Sequence, residues 1–188
     1  MSLIFKYGCM NAAKTMQLLA FRHSLVEMGI PVVLVKPAVD TRYPHPIVGS
    51  RSGLQANADL LVYEDSIYDP LDTLLGSASP GKFVLVDEAQ FLFPDLVWEL
   101  RSLVDNTGCT VICYGLKSDS KANLFPASAE LFLLSDQVEY IESYCTKCKV
   151  NKAIFNARIE NGYITKDGPQ IAIEGEYTYT SVCSKCFI

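Results

Sequence analysis

The sequence predicts an α/β fold, a parallel sheet wrapped by helices, followed by a small C-terminal subdomain stapled by cysteines. Three observations carry this expectation. Short apolar runs alternate with helical patterns through residues 1–144, the strongest runs end in glycine-bearing or acidic loops, and four cysteines fall in two CxxC pairs after Tyr144. With 188 residues, 49% of them apolar, the chain is long enough for one ordinary core plus an appendage.

Leu3–Tyr7 is the first strand, leading through Gly8-Cys9-Met10-Asn11-Ala12-Ala13-Lys14-Thr15 into an apolar pattern at helical spacing from Met16 to Met28. Gly29 ends that helix, and Pro31–Val35 reads as a buried β-branched strand closing at Lys36-Pro37, which completes a βαβ unit. Residues 38–57 are polar and punctuated by proline and glycine, the pattern of a long functional loop. A weaker strand at Leu60–Tyr63 and a helix near Pro70–Leu75 precede the strongest strand, Phe83–Asp87. Helix Pro94–Val104 and strand Thr110–Tyr114 continue the alternation. Beyond Gly115 a polar stretch, Lys117–Asn123, leads to Leu124-Phe125 and an apolar segment at Leu131–Leu134. After Tyr144 the alternation stops, leaving short strand-like pieces with Gly162, Gly168 and Gly175 between the cysteine pairs. The expected division is therefore an α/β domain at 1–144 and a metal-stapled subdomain at 145–188.

Composition narrows the function. A formal net charge of −5 supplies no basic field for a nucleic-acid backbone, so nucleic acid is not the expected partner. No apolar run approaches the roughly 20 residues of a membrane span, and Met1-Ser2-Leu3 opens no signal-sequence pattern, so a cytoplasmic protein without membrane attachment is expected. Cys9, Cys109 and Cys113 lie in apolar strand-like contexts and read as buried thiols, while His23 and His45 read as helix-face and loop residues.

The segment Gly8–Thr15 matches the phosphate-loop pattern GxxxxGK[ST] at every fixed position except Ala13. Such a loop aims backbone N–H groups at phosphate, adds the dipole of the following helix, and puts Lys14 on the β/γ-phosphates and Thr15 on Mg²⁺. The plainer alternative is a strand-to-helix turn with an ordinary surface lysine. Asp87-Glu88 ends the strongest strand at the carboxyl edge, where parallel sheets bind ligands. Asp87 then occupies the place of the acid that holds the nucleotide's Mg²⁺, and Glu88 is free to orient a hydroxyl and accept its proton. Taken alone, the pair could equally open a solvent-facing turn; with the phosphate loop it points to a nucleotide site.

Cys145-x-x-Cys148 and Cys183-x-x-Cys186 are two knuckles of the kind that close a tetrahedral four-thiolate Zn²⁺ site. A closed site has no open coordination position, so the metal is structural. A redox CxxC or two disulfides are the alternatives, and neither pair follows the βαβ context of a redox site. Clamped at both ends, residues 149–182 form a lasso able to close over a ligand.

These residues together resemble the thymidine kinases of the cytosolic and bacterial class. The matching pieces are Met10–Thr15, Lys36-Pro37-x-x-Asp40-Thr41-Arg42-Tyr43, Ser50-Arg51-x-Gly53, Asp87-Glu88-Ala89-Gln90-Phe91, Tyr114-Gly115-Leu116, and both CxxC pairs with Tyr179-x-Ser181-Val182-Cys183, in family order. The resemblance implies a P-loop NTPase-like core with a zinc-bound lasso, transfer of the ATP γ-phosphate to the 5′-hydroxyl of thymidine and also deoxyuridine, Mg²⁺ with the ATP, a homotetramer, and feedback inhibition by dTTP. It implies Glu88 as the base. Gly8, Cys9, Met10, Asn11, Ala12, Ala13, Lys14, Thr15, Asp40, Arg42, Asp87 and Gln90 would lie at the ATP phosphates. Met10, Phe91, Leu116, Phe125 and Tyr179 would form the nucleoside pocket, with Ile173, Glu174 and Gly175 reading the base edge. The departures are Ala13 for the family's glycine, Ser120 where an aromatic residue lines the pocket, and Lys121 where arginine is usual. They keep a second reading open, a kinase-derived protein that binds nucleosides or nucleotides without efficient transfer.

Overall fold

The structure, a computed structural model, describes residues 1–63, 79–166 and 178–188. Strand β1 (Ser2–Tyr7), helix α1 (Lys14–Glu27) and strand β2 (Val32–Pro37) form the first βαβ unit. The short strands β3 (Ile47–Gly49), β4 (Gln55–Asn57) and β5 (Leu60–Val62) follow. After β6 (Phe83–Val86) come a 3₁₀ turn at Ala89–Phe91, α2 (Pro94–Thr107), β7 (Thr110–Gly115), α3 (Pro126–Leu134) and β8 (Gln137–Tyr140). The chain ends with β9 (Phe155–Glu160), β10 (Tyr163–Thr165), β11 (Thr178–Val182) and α4 (Ser184–Phe187). The helix expected near Pro70–Leu75 lies outside the described residues.

The main sheet runs β5-β2-β6-β7-β1-β8 with every pairing parallel. A parallel sheet must be covered on both faces, and alternate strand residues divide accordingly. Leu34, Leu85, Ile112 and Tyr114 pack with Leu18, Leu19 and Leu25 of α1. Phe5, Val84, Val86, Val111 and Cys113 pack with Leu96, Leu100 and Leu103 of α2 and with Leu131 of α3.

Two segments differ from the sequence reading. Residues 38–57, read as a loop, contain the antiparallel hairpin β3–β4. Its strands are too short to show alternation; it is pinned from below by the Lys36 ammonium, 1% exposed, which donates to the carbonyls of Tyr43 (3.2 Å) and Ile47 (2.7 Å). Residues 137–140 add an edge strand, and its mostly exposed Gln-Val-Glu-Tyr carries no apolar period to reveal it. The apolar segment Leu131–Leu134 is the last turn of α3, which begins at Pro126, where proline suits the first helical turn.

The C-terminal strands form a separate antiparallel sheet, β10-β9-β11. Its small core joins Ala157, Val182 and Phe187 to the cysteines, with Phe155 and Phe187 stacked at 4.4 Å. Among the described residues no helix is long and apolar enough to cross a membrane.

Candidate active site

Four segments leave the carboxyl edge of the main sheet and converge: residues 8–15 after β1, 38–42 after β2, 87–90 after β6 and 116–120 after β7. That edge is where a parallel sheet presents backbone and side chains to a ligand.

Gly8 is fixed by packing, because a Cβ there would stand 2.6 Å from the Ile141 carbonyl oxygen. Further along the loop, Asn11 (φ 64°) and Ala13 (φ 60°) are left-handed. Asparagine tolerates this region, whereas Ala13 stores strain of about 1 kcal/mol. α1 starts at Lys14 with no side-chain cap, which leaves its first-turn N–H groups available to an anion. Lys14 is buried at 7% exposure, and its ammonium donates to the carbonyls of Gly8 (3.2 Å) and Cys9 (2.9 Å). Burial pulls its pKa down, opposed by Glu88 and then Asp87.

The Thr15 hydroxyl lies 3.1 Å from each carboxylate oxygen of Asp87. Burial, reinforced by the adjacent Glu88, pushes the Asp87 pKa up to about 7. Glu88 goes the other way: burial works to raise it, but Arg42 and then Lys14 outweigh burial and hold it below the usual range. Its backbone is left-handed (φ 47°), the kind of strain held at functional positions. One carboxylate oxygen meets Arg42 Nη2 at 2.6 Å, and the other accepts from Gln90 Nε2 at 2.6 Å. Arg42 in turn grips Asp40 through Nε (2.7 Å) and Nη2 (3.0 Å). The other end of the Gln90 amide accepts from the Leu116 N–H at 2.9 Å, and a Cβ on Gly115 would come 2.9 Å from that oxygen. Gly115 is therefore what lets Gln90 brace Glu88 against β7. Neighbouring carboxylates in such different environments suit one ionised base and one group that ionises when a cation arrives.

The Asp87 shift sets a pH dependence. A carboxyl whose pKa is raised in the fold keeps its proton where the unfolded chain has lost it, so its contribution to stability declines as pH rises from about 4 to about 7, by at most about 1.4 kcal/mol per pH unit. Asp87→Asn has no proton to lose. The melting temperature of the ligand-free wild type, measured against Asp87→Asn, is expected to fall across that window; a constant difference would contradict the assignment.

Beside these groups lies a cavity of about 440 Å³. Of the sequence-predicted residues, Met10, Asn11, Ala13, Lys14, Thr15, Arg42, Glu88, Gln90, Phe91, Leu116, Phe125 and Tyr179 line it. Gly8, Cys9, Ala12, Asp40 and Asp87 are buried behind that lining, and Ile173, Glu174 and Gly175 lie outside the described residues. Phe91 and Phe125 meet edge to face at 6.0 Å, and Ser120, 4% exposed, is part of the wall. The hairpin contributes Gly49, Ser50, Arg51 and Ser52.

Sequence reasoning missed Asn156, Arg158 and Ser181 as site residues. Asn156 Oδ1 accepts from the Met10 N–H at 2.8 Å, the Ser181 hydroxyl donates to the Met10 carbonyl, and the fully buried Arg158 donates to the Tyr179 hydroxyl at 3.0 and 3.2 Å. The available signal was slight: Asn156 and Arg158 fall on the polar positions of an alternating strand and Ser181 in a run of hydroxyl residues, where solvent-facing side chains are the ordinary reading.

The four cysteine sulfurs lie within 4.8 Å of one another, with Cys148 and Cys183 at 3.9 Å. Four sulfurs each about 2.3 Å from a central ion fit that spread. Burial opposes ionisation of Cys145, yet the backbone N–H groups of Cys148, Cys183 and Lys147 bring its pKa down to about 6. Cys186 is pushed up to about 12, by burial first and then by the neighbouring thiols. Four thiolates cannot coexist here without a cation, so the cluster fits a metal ion.

A family model described as thymidine kinase matches residues 1–187. The chain is 39% identical over 184 residues to a thymidine kinase of Streptococcus pyogenes serotype M3, covering 97% of this chain and 95% of that protein. It is 38% identical over 185 residues to a thymidine kinase of Streptococcus agalactiae serotype Ia, with the same coverage of 97% and 95%. Among solved structures, the genome packaging NTPase B204 of Sulfolobus turreted icosahedral virus 2 in complex with ATP-gammaS aligns with a TM-score of 0.43 and 13% identity over 77% of this chain and 75% of that one.

Proposed function

The chain belongs to the thymidine kinase family, and we propose that it transfers the γ-phosphate of ATP to the 5′-hydroxyl of thymidine, and of deoxyuridine, in the cytoplasm. The observation that supports this most is one cavity lined both by phosphate-loop residues with Glu88, whose pKa Arg42 and Lys14 hold below the usual range, and by Phe91, Leu116 and Phe125. A nucleoside needs flat apolar contacts and a few fixed polar groups, and its hydroxyl needs a base within reach of the phosphate.

The roles divide by chemistry. Lys14 and the α1 N-terminus take the donor phosphates; Thr15 and Asp87 hold Mg²⁺, whose charge offsets that of the phosphates. Arg42, held by Asp40, keeps Glu88 charged and stands beside the transfer centre. Glu88 orients the 5′-hydroxyl and accepts its proton. Cys145, Cys148, Cys183 and Cys186 hold structural Zn²⁺ at the base of the lasso, in which Ile173, Glu174 and Gly175 read the base edge. Seven unpaired cysteines, four of them clustered, accord with a reducing compartment. Family membership supports the domain division at 144/145, a homotetramer and feedback inhibition by dTTP.

Incubating the protein with MgATP and thymidine, deoxyuridine or deoxycytidine tests the substrate class. The 5′-monophosphates of the first two are expected at rates within about tenfold of each other, since a pocket rejects a missing methyl only weakly. A preference for deoxycytidine would overturn this reading.

A further inference from the structure

The C-terminal sheet reaches the cavity through Asn156 and Tyr179, and it also grips the loop after β1. Asn156 on β9 and Ser181 on β11 are register partners. Both are buried, at 4% and 1% exposure. Their side chains converge on one residue of the phosphate loop: Asn156 accepts from the Met10 N–H at 2.8 Å, and Ser181 donates to the Met10 carbonyl. The Asn156 amide also donates to the Ser118 carbonyl at 3.3 Å, joining the loop after β1 to the wall after β7. Ser181 is itself tied to the first cysteine knuckle, because its carbonyl accepts from the Thr146 N–H (2.9 Å) and hydroxyl (3.0 Å).

We propose that Asn156 and Ser181 are positioning residues that hold the phosphate loop in shape for the nucleotide, so that the four-cysteine subdomain serves the phosphate donor as well as the nucleoside. This rests on the reading of residues 8–15 as the ATP phosphate loop. Immediately after Met10 the loop places Asn11 and then Ala13 in left-handed conformations. Strained backbone persists only where its surroundings over-determine it, and the N–H groups that face a phosphate must be fixed beforehand to be useful. Both backbone groups of Met10 are held by side chains from a different sheet. Removing either side chain leaves a partly buried donor or acceptor without its partner and frees the loop to relax.

The test is calorimetric titration of MgATP, without thymidine, into wild type, Asn156→Ala and Ser181→Ala, each in the native and the Ala13→Gly background, with metal content measured for every protein. Each variant is expected to bind MgATP roughly tenfold more weakly than wild type, with full metal content. In the Ala13→Gly background, where glycine adopts the left-handed conformation without strain, the loss should shrink to about threefold or less. A role confined to folding would not give this coupling to residue 13. Asn156 also lines the cavity, so Ser181→Ala, which does not, decides if Asn156→Ala loses its metal. Unchanged affinity in metal-loaded Ser181→Ala, or an equal loss in both backgrounds, overturns the proposal. Wild type that binds no MgATP would instead reject the phosphate-loop reading beneath it.

Discussion

Glu88→Gln is expected to lower kcat for thymidine roughly 10²-fold or more, while the KM for ATP stays within about threefold. The size follows from what the carboxylate does. Arg42 and Lys14 hold it ionised inside a buried site, and Gln90 holds its orientation through a bond relayed to β7. Glutamine keeps the shape and loses both the proton acceptor and the ion pair with Arg42. Its new N–H₂ group must also face either Gln90 Nε2 or Arg42 Nη2, both of them donors. With the ATP phosphates assigned to Lys14 and the α1 N-terminus in the proposed function, donor affinity should change little. Steady-state kinetics with each substrate varied separates the two effects: an equal rise in the ATP KM would mean that Glu88 serves the donor site, and an unchanged kcat would remove it as the base.

Disrupting the cysteine cluster should have an effect of comparable size by a different route. Cys183→Ser removes one of the four clustered sulfurs proposed to hold Zn²⁺, at the residue that opens α4 and belongs to the small C-terminal core. Structural Zn²⁺ sites carry on the order of 10 kcal/mol of apparent binding energy, most of it available to folding. Among the described residues the core of the C-terminal sheet is Ala157, Val182, Phe187, Phe155 and Ile164 around the cysteines, so this sheet is expected to lose order without the cluster. It holds Asn156 and Ser181 against Met10 and presents Tyr179 to the cavity, so both substrate sites should suffer. Metal content below one equivalent, with thymidine turnover reduced at least roughly 10²-fold, is the expected result. A metal-free variant with undiminished turnover would show the cluster to be dispensable.

The parts of the site legible in the sequence were those whose chemistry is compressed into contiguous residues. Gly8–Thr15, Asp87-Glu88 and the two CxxC pairs announce themselves because a loop, a strand end and a knuckle each place their groups within a few positions. The parallel sheet was legible for the same reason, since β1, β2, β6 and β7 are apolar on both faces. What stayed hidden depends on contacts across the fold. Asn156 and Ser181 become meaningful only when β9 and β11 pair and are laid against Met10. Gln90 was readable as a phosphate neighbour from its place in the motif, yet its amide spans Glu88 and Leu116, a link from β6 to β7 that spacing cannot reveal. The hairpin β3–β4 and the edge strand β8 escaped because strands of three or four residues are too short to carry a periodic signal, and β4 and β8 are also largely polar.

Ala13 is the residue on which the central claim is most exposed, because a left-handed alanine stands where a phosphate loop ordinarily has glycine. The most direct measurement is the formation of thymidine monophosphate from thymidine and γ-labelled ATP by the metal-loaded wild type, run beside Ala13→Gly. Sustained transfer of the label by wild type is expected, with at most about a fivefold gain in the glycine variant, the size of the roughly 1 kcal/mol of strain removed. Folded, metal-loaded wild type that binds nucleotide and transfers no label, with transfer appearing only in Ala13→Gly, would contradict it.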